Sequence, residues 1–242
     1  MRILVFSRRN LRELVRDKLN LIFGLGFPII LLLLLTAIQR NIPVSMFELD
    51  QLTPGIAVFG LSFISLFSAS LIAKDRGSSF LMRMFTSPMQ PAEFILGYTL
   101  PLLPLAVAQT CICYLCAICL GLTPTWTIFA AILASIPAAL VFIGLGLLCG
   151  TLLTERQVGG ICGALLTNLS AWLSGTWFSL DLVGGAFKTI AMALPFAPAV
   201  NAGRAALAGD WAAVMPPLWL VIGYAAVICA AAIFFFRRKA KE

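Results

Sequence analysis

Residues 125–153 read TWTIFAAILASIPAALVFIGLGLLCGTLL, without one charged side chain. A helix crosses the ~30 Å hydrocarbon core of a bilayer with about 20 apolar residues, so this run spans it with length left for tilt or a break. The alternation of apolar and polar residues that a membrane barrel needs is missing, and the run reads as helix. Five further apolar stretches occur at 20–39, 54–73, 94–120, 158–180 and 212–236. The chain is therefore expected to be all-α, a polytopic membrane protein with six transmembrane helices forming one domain over 20–236. Pro101, Pro104 and Pro137 lie inside the two longest runs, where a missing backbone donor favours a kink.

Composition points the same way. Of 242 residues, 61% are hydrophobic and 11% charged, and the mean hydropathy is +1.01. A soluble domain carries roughly 25% charged residues, so a water-soluble enzyme is excluded. There is no histidine, which removes the usual metal ligand and the usual proton shuttle. The seven cysteines all lie in apolar runs, where Cys acts as a small hydrophobe. Cys111, Cys113, Cys116 and Cys119 spread over more than one helical face, so they read neither as a disulfide framework nor as a metal site.

Orientation follows from Lys and Arg. Six precede the first span, Lys74, Arg76 and Arg83 lie between the second and third, Arg156 follows the fourth, and four close the chain in the basic tail 237–242. Only Arg40, Lys188 and Arg204 fall on the other side. The positive-inside rule then places both termini of this multi-pass protein in the cytoplasm, and the plasma (inner) membrane is its expected location. The net charge of +7 reads as topology and anionic headgroups, with no nucleic-acid partner. The first run is not a cleaved signal: the charged stretch before it is long, and Thr36-Ala37-Ile38-Gln39-Arg40 is a poor cleavage site.

None of the six runs contains Asp, Glu, Lys or Arg. Ionisable residues inside a membrane are kept mainly for function, so their absence argues against a carrier that harvests an ion gradient. No paired carboxylates or nucleophile–base arrangement marks an enzyme, and no catalytic, cofactor-binding or metal residue is expected. The nearest approach to a phosphate loop, Gly184-Gly185-Ala186-Phe187-Lys188-Thr189, lacks two of the required glycines. Energy for uphill movement would have to come from another chain.

Three segments are not plain spans. Residues 1–19 form an amphipathic interfacial helix, with Ile3, Leu4, Leu11, Leu14 and Val15 on one face and Arg2, Arg9, Arg12, Glu13 and Arg16 opposite; Val5 and Phe6 fit this division poorly. In the loop 74–93, Ser78 can cap a short helix whose apolar face is Phe80, Leu81, Met84 and Phe85, stopped by Pro88 and Pro91. Such a helix suits docking into a partner's groove. Residues 181–210, on the external side, hold two apolar pieces separated by Pro195, each too short to span, which fits a re-entrant hairpin.

In this order, the three segments resemble the type-2 ATP-binding-cassette permease family, the exporter-type membrane subunits. Arg16-Asp17 followed by Pro28 and Ile29–Leu35 looks like the family's interfacial helix entering its first span. Asp75-Arg76-Gly77 through Leu81, Arg83, Thr86-Ser87-Pro88 and Glu93-Phe94-Ile95-Leu96-Gly97 is similar to its E-R-x-x-G-T-L-x-R-L-x-x-T-P region. Leu173-Ser174-Gly175 with Phe178, then Leu194-Pro195-Phe196-Ala197-Pro198-Ala199-Val200-Asn201-Ala202-Gly203-Arg204, is similar to its last external stretch.

The resemblance implies a coupling helix within Gly77–Phe85, docking on a cytoplasmic ABC ATPase dimer through Asp75, Arg76, Gly77, Phe80, Leu81, Arg83, Met84 and Phe85. It implies a second permease subunit, identical or related, and ATP and Mg bound only by the partner ATPase. The external hairpin would carry Pro195, Asn201 and Arg204. Polar residues inside the spans, Gln109, Thr167, Asn168 and Ser170, are candidates for the substrate path, although such residues also serve as interhelical hydrogen-bond glue. The expected function is export of an amphipathic or lipid-like molecule, a drug, a peptide or a glycan, without enzyme activity in this chain. A stand-alone gradient-driven carrier or channel, and a membrane anchor for an enzyme complex, are the competing readings.

Overall fold

A computed structural model describes residues 2–42, 47–78 and 89–239. The elements in chain order are α1 (Arg2–Arg16), α2 (Lys18–Gln39), α3 (Leu49–Gly77), α4 (Pro91–Leu120), α5 (Thr127–Leu152), α6 (Glu155–Val158), a π-helical segment (Gly159–Leu166), α7 (Thr167–Leu173), α8 (Leu180–Val183), α9 (Gly185–Ala193), α10 (Phe196–Ala208) and α11 (Trp211–Lys239). All regular structure among the described residues is helical. Asn20–Gln39 of α2, and α3, α4, α5 and α11, are each long and apolar enough to cross a membrane. Helices α9 and α10 make a sixth candidate if taken together, but they are bent by 76° at their junction. The protein is an all-helical, polytopic membrane protein.

Where the sequence suggested a span at 158–180, helical dihedrals run through α6, the π segment and α7, then give way to turns at Ser174. This stretch is broken by its π segment and is not among the helices long and apolar enough to cross a membrane. The bend between α9 and α10 has a local cause. Leu194 precedes Pro195 and is driven out of the helical region to φ −82°, ψ 158°. Gly209 ends α10 at φ 77°, the left-handed conformation that a residue without Cβ adopts freely.

Helix α3 is the central element, largely buried and packed against α2, α4, α5, α10 and the π segment. Its closest neighbour is α5. A Cβ on Gly146 would lie 2.2 Å from the Ser65 carbonyl oxygen, and one on Gly150 would lie 2.4 Å from that of Ala69. The Gly146-x-x-x-Gly150 face therefore brings backbone against backbone, the packing that small residues allow in lipid. Ser68 adds a bond across the contact, its Oγ donating to the Ile143 carbonyl at 3.1 Å.

Helix α1 lies against α4 rather than standing apart. Phe6, Asn10 and Leu14, one turn apart, are buried; the Phe6 ring stands edge-on to Phe94 and Tyr98, with centroids 5.7 and 4.9 Å away. Leu4, Leu11 and Val15 are exposed on a separate stripe, and the arginines occupy the rest of the circumference. The helix thus has three faces, one for protein, one apolar and open, one cationic. Phe6 fitted the two-faced expectation poorly because it belongs to the protein face. Val5, 71% exposed, lies among the arginines instead.

Candidate functional site

The last turn of α3 carries Asp75, Arg76 and Gly77, the start of the expected coupling region. The helix continues past the apolar run that ends at Ala73, so these residues are helical, with Asp75 buried, Arg76 partly buried and Gly77 exposed. Asp75 is 3% exposed. Its Oδ2 accepts from Nη1 of Arg9 at 2.5 Å and from the hydroxyl of Tyr98 at 2.8 Å. Arg9 also donates to Oδ1 of Asn10 at 3.0 Å, and Asn10 Nδ2 donates to the Gly97 carbonyl at 3.1 Å. Burial works to lower the Arg9 pKa, but the hydrogen bond and charge of Asp75 outweigh it and hold the value above the ordinary one. One carboxylate therefore ties α3 to α1 and α4.

Arg76 points the other way. Its Nη1 donates to the carbonyls of Gly150 at 2.8 Å and Leu153 at 3.2 Å, two of the acceptors that the end of α5 leaves without helical partners. Ser78, expected to start the next helix, closes this one: its hydroxyl donates back to the Asp75 carbonyl at 2.9 Å. Among the described residues, nothing lies within 4 Å of where a Cβ on Gly77 would sit. Within one helical turn, α3 is fastened to α1, α4 and α5, immediately before residues 79–88. Phe80, Leu81, Arg83, Met84 and Phe85, the expected docking residues, lie outside the described residues.

The four polar residues proposed for a route are placed on two elements. Gln109 is buried on α4 against α3, its Nε2 2.0 Å from where a Cβ on Gly60 would lie. That amide donates to Cys113 Sγ at 3.3 Å, while Oε1 has no hydrogen-bond partner among the described residues. Thr167 and Ser170 are buried on α7, their hydroxyls donating to the carbonyls of Cys162 and Thr167. Asn168 is on the outer face, with Nδ2 donating to the Ala164 carbonyl at 2.9 Å. No hydrogen bond among the described residues joins Gln109 to the α7 group.

At the opposite end of the bundle, Arg204 of α10 reaches two elements. Its Nε donates to the Gln51 carbonyl at the start of α3 and its Nη2 to the Gly175 carbonyl after α7, both at 2.9 Å. Asn201 Nδ2 meets Met192 Sδ at 3.7 Å across the bend at Pro195. Lys188 donates to Asp181, and that hydrogen bond holds the exposed Asp181 carboxyl below its ordinary pKa. Gly146, Gly150, Tyr98 and Asn10 are the structurally decisive residues that sequence reading passed over. The i, i+4 glycine pair inside an apolar run was a readable signal for the first two; nothing local marked the others.

Among the described residues, no group of three His, Cys, Asp or Glu side chains gathers that could hold a metal ion. Residues 1–208 match a family model described as ABC-2 type transporter. No curated protein matches the chain.

Proposed function

Since the chain belongs to the ABC-2 type transporter family, and so is the membrane-spanning permease component of an ABC transporter, we propose that it exports an amphipathic or lipid-like cargo, using ATP hydrolysed by a separate cytoplasmic ATPase dimer. ATP and Mg belong to that partner. The observation that carries the reading is the triple fastening of Asp75 and Arg76. A push delivered to residues 79–88 reaches the last turn of the most buried helix, and three bonded elements move with it. Arg9, Tyr98 and the end of α5 are the receiving parts. Phe80, Leu81, Arg83, Met84 and Phe85 are, in this proposal, the residues on which the ATPase would seat.

Two copies of the chain, or one with a related permease, enclose the path, with both termini cytoplasmic in the plasma (inner) membrane. The small charge content of the spans suits an apolar cargo; of the candidate polar contacts Gln109, Thr167, Asn168 and Ser170, Asn168 is the one exposed on the outer face, the other three being buried in the bundle. Pro195, Asn201 and Arg204 then sit at the external exit.

The test is co-purification followed by substitution. A tagged chain should retain an ATPase bearing a Walker A motif, and the double variant Phe80→Asp/Met84→Asp should lose both that subunit and transport. Active transport by the chain purified free of any nucleotide-binding protein would overturn the proposal.

A further inference from the structure

Between α1, the start of α2 and the end of α3 lies a cavity of about 520 Å³, within the size range of small-molecule sites. Its chemistry is layered. Phe67 and Leu71 of α3, with Leu21 of α2, form the apolar floor; Arg16 and Lys74 stand on the rim beside Glu13 and Asp17. The Arg9–Asp75 pair closes one wall and is already joined. On α2, just past the cavity, Ile22 and Phe23 are 66% and 60% exposed, continuing the apolar surface toward the span.

The rim is balanced: two cations and two carboxylates. Lys74 and Asp17 approach to 3.5 Å, with half and a third of their side chains exposed, while Asp17 also accepts from Nδ2 of Asn20 at 2.7 Å. A pair so open to water is weak and readily exchanges its partners. A purely anionic ligand would bring its charge against Glu13 and Asp17 as well as toward the cations. A ligand bearing both a phosphate and a primary ammonium would meet four complementary groups. With an apolar floor beneath and an exposed apolar stripe beside it, that ligand also carries a hydrocarbon tail.

We propose that this cavity binds the headgroup of an amine-bearing zwitterionic phospholipid of the phosphatidylethanolamine type. Arg16 and Lys74 take the phosphate, Glu13 and Asp17 take the ammonium, and one acyl chain lies along Leu21 and the exposed face of α2. The inference requires only that the chain spans a membrane with α1 at its surface, and does not rest on the transport reading. The bound lipid acts as a spacer between α1 and α3, beside the Arg9–Asp75 bond.

The experiment is native mass spectrometry of the delipidated full-length protein, titrated with palmitoyl-oleoyl phosphatidylethanolamine, phosphatidylglycerol or phosphatidylcholine, or with free phosphoethanolamine. One phosphatidylethanolamine per chain should be retained about fivefold better than either other lipid, the factor one charge contact near a membrane surface supplies. Glu13→Gln should shift the preference toward phosphatidylglycerol, and Lys74→Gln should reduce retention of phosphatidylethanolamine by a similar factor. Thermal melting in detergent confirms that both variants fold. Equal retention of the three lipids, retention of free phosphoethanolamine as tight as that of the lipid, or an unchanged preference in folded Glu13→Gln each overturns the proposal.

Discussion

Arg9 and Asp75, 66 residues apart in sequence, meet in an ion pair 2.5 Å long at the edge of the bundle. The two ends of the bond differ: the Asp75 side chain is 5% exposed and that of Arg9 33%. The carboxylate is therefore the member that suffers when its partner is removed, with the Tyr98 hydroxyl donating to the same oxygen.

Asp75→Ala should destabilise the protein by about 2 kcal/mol, since it removes the acceptor of the buried Tyr98 hydroxyl and one charge partner of Arg9, which keeps its bond to Asn10. Asp75→Asn keeps an acceptor for Tyr98 and should cost about half as much. Tyr98→Phe should cost about 1 kcal/mol. Chemical denaturation in detergent, run as a cycle with Arg9→Ala, separates these contributions.

The α3–α5 contact makes a sharper forecast. Gly146→Ala places a methyl against the Ser65 carbonyl and the Ser68 hydroxyl, so the helices must part. About 2–3 kcal/mol of stability should be lost, the typical cost of overpacking. Gly223→Ala on α11 has open space around the new methyl and should leave the melting temperature unchanged or slightly raised. Equal melting of the two variants would contradict the close backbone approach.

Arg204→Ala removes donors from the Gln51 and Gly175 carbonyls at once and should cost about 2 kcal/mol, one charged hydrogen bond's worth after relaxation. Arg204→Lys, with a single ammonium in place of a fork, should recover less than half. Limited proteolysis between residues 174 and 196 should quicken in both variants before global melting shifts.

Asp181 supplies a pH signature. Lys188 holds its folded-state pKa below the unfolded value, so the pair's contribution is present above the ordinary carboxylate pKa of about 3.9 and is lost as pH falls through the lowered one. Wild type and Lys188→Ala should differ in melting temperature by a constant, small amount from about pH 7 to 5. The difference should vanish at lower pH. A gap that widens under acid would contradict the assignment.

Much of this architecture was legible in the sequence because lipid leaves few choices. A long uncharged run must be a satisfied helix, so α2, α3, α4, α5 and α11 were visible from composition alone, and Pro195 announced the bend. Less visible was anything that depends on which helix stands beside which. Asp75 and Arg76 looked like loop charges because they follow an apolar run. Their membership of α3 depends on receiving partners in α1, α4 and α5, elements remote in sequence. Phe6 and Asn10 likewise made sense only once Tyr98 and Gly97 were opposite them. An amphipathic pattern distinguishes apolar from polar positions, but not an apolar position facing protein from one facing lipid.

The protein face of α1 also sets an order of assembly. Asn10 bonds the carbonyl of Gly97, 87 residues downstream, so α1 leaves the ribosome well before the surface that completes it exists. Until α4 is inserted, this helix lacks its largest protein contact and holds to the bilayer by Leu4, Leu11, Val15 and its arginines, with the Arg9–Asp75 pair to α3 its main protein link. Its docking onto Tyr98 and Gly97 is thus a late, long-range closure of the kind that slows folding, and a newly made chain arrested before α4 would carry its first helix with its buried face, Phe6 and Asn10, still uncovered.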